Sequence, residues 1–202
     1  VTLAAGITPL ADAVDPGKIA VGISGLEMPD TSSSGIYNVT VGGAAAGSVA
    51  AGAAISANII NNSLYAGITG KSTVTAYGDV TLSAVDSSVI TSIALGGGFS
   101  GGSLGAGAAL SVNVIKNTIT TEINDSTVRA GMNADGTSIT NSASDVVLDS
   151  QSSSIIRSLS VGASGSSNVA VSFSILGNGV SNTVTSVIQN GAVVQAADDV
   201  AI

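Results

Sequence analysis

Six asparagines at repeated positions are the residues whose type and spacing could do chemistry, because a side-chain amide both donates and accepts hydrogen bonds. They form two equivalent sets: Asn58, Asn113 and Asn178, and then Asn62, Asn117 and Asn182. Such amides can contact a glycan or another ligand. They can also stack into ladders, in which each amide donates to the next one along a fibre axis. We interpret both sets as structural Asn columns at a bend of the chain, with ligand contact as the alternative.

Eight aspartates could indicate calcium, but the sequence lacks the spacing of known calcium loops. They are Asp12, Asp15, Asp30, Asp135, Asp145, Asp149, Asp198 and Asp199. Neither the nonapeptide G-G-x-G-x-D-x-U-x nor a twelve-residue EF-hand loop occurs. Glycine runs at 96–98 and 101–102 lack the G-K-[ST] of a phosphate loop. We therefore predict turn and edge roles for the aspartates, close packing at the glycines, and no metal or cofactor.

Composition argues against catalysis and against nucleic acid. The chain has no His and no Cys, so a Ser–His or Cys–His pair cannot form within it. Glu27 and Glu122 are the only glutamates, and aromatic residues are scarce, which disfavours a glycosidase. Five Lys and Arg against 13 Asp and Glu give a net charge of −8, whereas nucleic-acid surfaces need clustered basic groups. We predict that the chain is not an enzyme and binds no nucleic acid.

Three long spans carry no charge, namely 31–70, 87–115 and 158–197. A transmembrane helix needs about 20 predominantly apolar residues. Here Gly, Ser, Asn and Thr interrupt the apolar residues at every second or third position. We predict no membrane insertion of this segment.

One sequence block is repeated along the chain. A-G-A-A-I-S-A-N at 51–58 recurs as A-G-A-A-L-S-V-N at 106–113. S-T-V-T-A at 72–76 recurs as S-T-V-R-A at 126–130. Repeats of this length, about 54 residues, predict stacked units that bury their apolar faces against their neighbours.

The spacing of the repeats locates two insertions. Val1, Val80, Val146 and Val200 begin equivalent strand motifs, and the interval between them is longest for the first repeat and shortest for the third. The extra residues fall between Ala5 and Ser33 and between Gly131 and Asp145, where we expect loops, because stacked repeats tolerate insertions there. The prediction is one segment, 1–202, with repeat boundaries near 1–79, 80–145 and 146–199.

Alternating apolar and polar residues predict strands, and their parity predicts the buried face. One parity of the repeated block is apolar, with Ala53, Ile55, Ala57 and Ile59. Equivalent residues of the three repeats, Ile55, Leu110 and Ile175, are therefore predicted to form one buried column. After the bend the apolar parity is that of Leu64, Ala66 and Ile68, which requires a one-residue switch between Asn58 and Asn62.

Two packings accommodate these strands. Either one whole repeat forms one wide coil, with equivalent strands of successive repeats about 4.8 Å apart, or each repeat winds as three shorter coils of equal length. We favour the first, because no sub-period of one third of a repeat is visible. In both cases the predicted fold class is all-β, a β-solenoid (β-helix) built from repeats of about 54 residues with loop insertions.

The blocks A-G-A-A-[IL]-S-x-N, S-T-V-x-A and G-D-V-T-L-S-A, the last at 78–84, resemble repeat regions of giant bacterial surface adhesins. These are the filamentous-haemagglutinin-like and leukotoxin-like adhesins exported by type V routes. The resemblance covers most of the chain and is weakest across residues 6–32. It implies an extracellular β-solenoid passenger on the bacterial cell surface, used in attachment, aggregation or biofilm.

The expected function is that of a structural shaft segment in such an adhesin or filament. One alternative is a filament subunit that assembles end to end; another is a glycan- or host-protein-binding module that acts through loops 6–32 and 131–144. The expected partners are further copies or continuous repeats of the chain itself, and a host or bacterial surface glycan or protein. Both ends carry the ordinary strand motif, so we expect the first and last coils to pair with further chain.

Overall fold

The computed structural model describes residues 1–6 and 34–202, and these residues form β-strands, turns and loops without a helix. Most of the first predicted insertion, with Asp12, Asp15, Glu27 and Asp30, lies outside the described residues, and so does loop 6–32 beyond Gly6. In the part of the chain that the structure describes, no helix is long and apolar enough to cross a membrane.

Strands recur in one order along the chain. The first pass contains β1 (Thr2–Gly6), β2 (Ser34–Ala46), β3 (Val49–Ile60), β4 (Ser63–Ile68) and β5 (Thr73–Ala76). The second pass contains β6 (Val80–Ser100), β7 (Leu104–Ile115), β8 (Thr118–Asn124) and β9 (Thr127–Ala130). The third contains β10 (Val146–Gly165), β11 (Val169–Val180), β12 (Thr183–Gln189) and β13 (Val193–Gln195), and β14 (Val200–Ala201) follows it.

Equivalent strands of successive passes pair in parallel and build four sheets. Sheet A contains β1 and β2, which both pair with β6, followed by β10 and β14. Sheet B is β3-β7-β11, sheet C is β4-β8-β12 and sheet D is β5-β9-β13. In each of the three smaller sheets the middle strand comes from the second pass, so the first and third passes supply the edges.

The strand register matches the repeat alignment read from the sequence. Thr2 pairs with Thr81, and Val146 pairs with both Val80 and Val200. Asn58 pairs with Asn113. Partners therefore lie one whole repeat apart along the chain, as the packing with one repeat per coil predicts, and not one third of a repeat apart.

The strand register can be compared with both predicted insertions. Gly6 pairs with Val85 and Ser34 with Ser88, so β1 and β2 align with successive parts of the single strand β6. The residues between Gly6 and Ser34, where the first insertion is predicted, lie outside the described part of the chain. Residues 131–145 stand where the first repeat has only 77–79 between sheets D and A, so the second insertion does lie at a connection.

A large apolar core lies among the first half of sheet A, sheet C and sheet D. Leu82 and Val80 of β6 pack there with Ile119 and Ile123 of β8 and Val128 of β9, all fully buried. The predicted burial of Leu64, Ala66 and Ile68 is confirmed. These branched and aliphatic side chains supply most of the hydrophobic stabilisation, since each contributes about 1.5–3 kcal/mol when fully buried.

Sheet B packs on the second half of sheet A, and around Gly96 and Gly98 the two backbones approach so closely that only small residues fit between them. A side chain at Gly96 would overlap the carbonyl oxygen of Ala108, and one at Gly98 would overlap that of Ala106. Ala94 and Ala109 fill the same layer. Gly96 and Gly98 of the run 96–98 therefore serve close packing, because the backbones of the two sheets are nearly in contact there.

This close approach reverses the predicted parity of sheet B. Ile55, Leu110 and Ile175 do share one column of register partners, but the column faces outward, and Ile55 is 68% exposed. The prediction that it is buried was wrong because the gap between the sheets beside this column, where Gly42 and Gly96 face Ala53 and Ala108, is too narrow for branched side chains. Ala54 and Ser56 occupy the interior instead.

The predicted parity switch at the bend is absent. Inward residues keep one parity from Ala54 through Asn58 to Ile68 in the first pass. The switch was inferred only because the strand before the bend had been assigned the wrong inner face. Real changes of backbone direction occur at the corner between sheets C and D, where Lys71, Asp125 and Asn190 have positive φ angles of 62°, 45° and 55°.

Candidate functional site

The first Asn column lies inside the narrow layer between sheets A and B. Asn58 Nδ2 donates to Asn113 Oδ1 at 2.7 Å, and Asn113 Nδ2 donates to Asn178 Oδ1 at 3.0 Å. Asn38 of sheet A donates to Asn58 Oδ1 at 2.9 Å, and Ser158 Oγ caps the other end at Asn178 Oδ1. Each amide thus links its own pass of the chain to the next, and Asn113 is completely buried.

Serines extend this polar layer across the gap. Ser92 of sheet A lies between Ser56 and Ser111 of sheet B, with Oγ–Oγ distances of 2.8 and 3.0 Å. Each of these two sheet B serines also accepts from the Asn two residues further on. Because buried polar groups are costly unless paired, this network explains why polar residues can occupy the interior face.

The second Asn column has a different bonding pattern. Its side-chain amides do not bond to one another. Instead, the backbone N–H of Asn62 donates to Asn117 Oδ1, and the backbone N–H of Asn117 donates to Asn182 Oδ1, both at 3.0 Å. The Nδ2 groups reach across to sheet A instead, where Asn182 Nδ2 donates to Ser152 and Ser154, each at 2.8 Å. This column therefore closes the turn between sheets B and C and ties it to sheet A.

Asp86 is a candidate site residue that was not predicted from the sequence. Its side chain is fully buried, and its Oδ2 accepts from Asn117 Nδ2 at 2.7 Å while Oδ1 accepts from Ser88 Oγ at 2.8 Å. Asn62 and Ser152 donate to it at 3.3 Å. The sequence did contain a signal for the burial of Asp86, because Asp86 has the same strand parity as the inward residues Val80, Leu82 and Ala84. Asp86 marks the boundary between the large apolar core and the narrow polar layer.

Those predicted aspartates that the structure describes lie at turns, loops and strand surfaces. Asp145 Oδ1 accepts the backbone N–H of Asp199, and Asp79 Oδ1 accepts that of Asp145, so each carboxylate holds the next pass at the corner entering sheet A. Asp149 accepts from Gln151 on the outer side of β10, and Asp198 is exposed. Among the described residues, no group of three or more Asp, Glu, His or Cys could hold a metal ion.

Asp135 lies in the loop of the second insertion, 131–144. Hydrogen bonds from the Thr137 hydroxyl and backbone N–H lower the pKa of the Asp135 carboxyl. Asn133 Oδ1 also accepts backbone N–H groups within this loop. The loop is therefore folded on itself by its own side chains and is exposed to solvent.

An exposed acid–phenol pair lies on the outer side of sheet C. Tyr65 donates to Glu122 Oε2 at 2.6 Å, and Gln189 and Asn124 donate to Oε1. The hydrogen bond from Tyr65 and those from the amides lower the pKa of Glu122, and the same bond raises the pKa of Tyr65 to about 12. The group joins β4, β8 and β12, one strand from each pass, at the surface.

We expect a carbon-13 NMR titration of glutamate carboxyls to show Glu122 ionising below its ordinary pKa of 4.5, and Tyr65→Phe to raise that pKa. A lowered folded-state pKa stabilises the fold above the ordinary value, and this contribution disappears as pH falls. The chain has two glutamates, so Glu27→Gln identifies the signal. An unchanged titration in Tyr65→Phe would contradict the assigned bond.

The outer face of sheet B is apolar at every position. Its outward residues are Val49, Ala51, Ala53, Ile55, Ala57 and Ile59 of β3; Leu104, Ala106, Ala108, Leu110, Val112 and Val114 of β7; and Val169, Val171, Phe173, Ile175, Gly177 and Gly179 of β11. Soluble monomers rarely expose large contiguous apolar patches. This face is called the sheet B outer face below.

Comparison with known proteins adds no relative: no family model, no curated protein and no solved structure matches the chain.

Proposed function

We propose that the chain is a structural shaft segment of an extracellular β-solenoid, an adhesin or filament on the bacterial cell surface, with one repeat per coil. The observation that carries the proposal is that equivalent strands pair in parallel and in register in all four sheets. Such stacking continues along one axis by adding coils, each about 4.8 Å further on. The resemblance of the repeat blocks to bacterial surface adhesins supplies the cell-surface setting.

The internal columns support a mechanical role. Asn58, Asn113 and Asn178 join consecutive coils through side chains, in addition to the backbone ladders. Asp79, Asp145 and Asp199 do the same at another corner. Bonds that repeat along the axis resist separation and slippage of coils, which is what a shaft requires.

The test is the shape of tandem copies. Because Val200 and Val1 hold equivalent positions, residue 199 of one copy is joined to Val1 of the next. We expect small-angle X-ray scattering to show a constant cross-section and a length that grows by about 14 Å, three coils, per copy. A cross-section that grows with copy number would contradict the shaft.

An attachment assay with beads coated with the chain distinguishes the shaft function from the binding-module function. If the chain is a shaft segment, it should not attach the beads to host cells or glycans. Deleting 132–143 leaves a connection between sheets D and A as short as 77–79 of the first repeat, and supplies the loop control. Attachment by the intact chain that disappears in this variant, with the fold retained, would favour the binding module and overturn the shaft proposal.

End-to-end assembly remains the second candidate because one observation favours it. β14 pairs with the start of β10, so the pairing of sheet A already extends past the third pass. Isolated copies that lengthen into fibres in electron micrographs would support this candidate.

A further inference from the structure

The sheet B outer face has a shape as well as an apolar character. Two ridges run across the strands, formed by the register partners Val49, Leu104 and Val169 and by Ile55, Leu110 and Ile175. Between them lies a groove of about 200 Å³ floored by Ala51, Ala53, Ala106 and Ala108. At the third pass Val171 and Phe173 take the place of the alanines and end the groove.

The Phe173 ring thus projects at the third-pass end of the groove. At the first-pass end, over Ala51 and Ala53, the groove has room for an aromatic ring from another molecule. The Phe173 side chain is 57% exposed. A two-fold axis parallel to the strands and passing over β7 reverses the order of coils. It places β11 of one copy opposite β3 of the other, so that each Phe173 faces the partner's Ala53. Contacts of this kind are reciprocal, as in an isologous interface.

We propose that the sheet B outer face binds a second copy of this chain, face to face and with antiparallel coil order, each Phe173 entering the groove of the other copy. The face has no charged or polar outward residue that would select a charged partner. The outer face of sheet A differs, because Arg157, Thr91 and Tyr37 form one of its columns.

The area of the face suits such a pair. Three strands of 12 residues measure about 40 Å by 14 Å, at about 3.3 Å per residue and 4.8 Å per strand. Both copies together then cover about 1,100 Å², which exceeds the roughly 1,000 Å² expected of a specific interface. Sheets that pack face to face lie about 10 Å apart. A Phe173 ring that projects into the groove of the facing copy fixes how the two sheets are aligned.

The two phenylalanines of the chain provide a matched pair of variants. Phe99 is 54% exposed but lies on the outer side of β6 in sheet A. Sedimentation of the full chain between about 1 and 100 μM, a range that spans moderate affinities, should show a dimer. Phe173→Ala should raise its dissociation constant about tenfold or more, and Phe99→Ala should leave it unchanged. Circular dichroism of each variant verifies the fold.

A single introduced cysteine tests the arrangement, because the chain has no cysteine of its own. Ala108 of β7 lies on the proposed axis, so Ala108→Cys should cross-link to its equivalent through a bismaleimide that spans about 10 Å. Ala163→Cys, on the outer side of sheet A, should not. Cross-linking of Ala108→Cys supports the face-to-face pair.

Three results would overturn the proposal. The first is a chain that stays monomeric throughout this range. The second is a dimer that Phe173→Ala does not weaken, as end-to-end stacking predicts. The third is a monomer that binds phosphatidylcholine vesicles through Phe173, which would assign the face to a lipid surface.

Discussion

Replacing Gly96 by alanine is expected to lower the free energy of unfolding by about 3 kcal/mol or more. The added Cβ would overlap the carbonyl oxygen of Ala108 in the facing sheet, and that backbone cannot move away without separating sheets A and B. Separation would also stretch the Ser56–Ser92–Ser111 hydrogen bonds. Urea unfolding followed by circular dichroism measures the loss.

The neighbouring glycine supplies the control for this experiment. Gly97 faces outward, and the atom nearest to a Cβ there belongs to the flexible ring of Phe99, at 3.2 Å, while the Ala163 carbonyl oxygen lies at 3.9 Å, an ordinary contact. Gly97→Ala should therefore change stability by less than about 1 kcal/mol. Equal effects at Gly96 and Gly97 would show that the sheets are not as close as described.

Replacing Asn117 by aspartate is expected to destabilise the fold by about 3–5 kcal/mol at pH 7. The substitution keeps the shape of the side chain but puts a second carboxylate against Asp86, where Asn117 Nδ2 now donates at 2.7 Å. Two buried carboxylates at this distance cannot both stay ionised. The destabilisation should shrink as pH falls, because a shared proton restores a hydrogen bond between the two oxygens.

Asn182→Asp is the matched control, one pass further along the same column. Asn182 Nδ2 donates to the hydroxyls of Ser152 and Ser154. Ser152 already donates to Asp86, but the Ser154 hydroxyl can turn and donate to the new carboxylate. Thermal unfolding at pH 7 and pH 4 should show a large, pH-dependent loss for Asn117→Asp and a small loss for Asn182→Asp. A similar loss of stability in both variants would contradict the inference that the carboxylate of Asp86 causes the destabilisation.

The sequence by itself determined the repeat, the strands and their register. Closely matching strings such as S-T-V-T-A and S-T-V-R-A align only one way, and Thr73 does pair with Thr127. Equivalence of Asn58, Asn113 and Asn178 followed from the same alignment. The repeated blocks can be read directly from the sequence, and the parallel register places equivalent residues of successive passes side by side.

The inner face of sheet B was decided only by the tertiary structure. Hydrophobic parity favoured Ile55 as a core residue, because burial of branched side chains is the usual driving force. The distance to sheet A, set by Gly96 and Gly98, instead admits only small side chains. Parity in a sequence shows that a strand has two unlike faces, but which one is covered depends on the space that the opposite sheet leaves. Asp86 was missed for the same reason, since its burial is possible because Asn117 and Asn62 from other strands, together with the neighbouring Ser88, donate to its carboxylate.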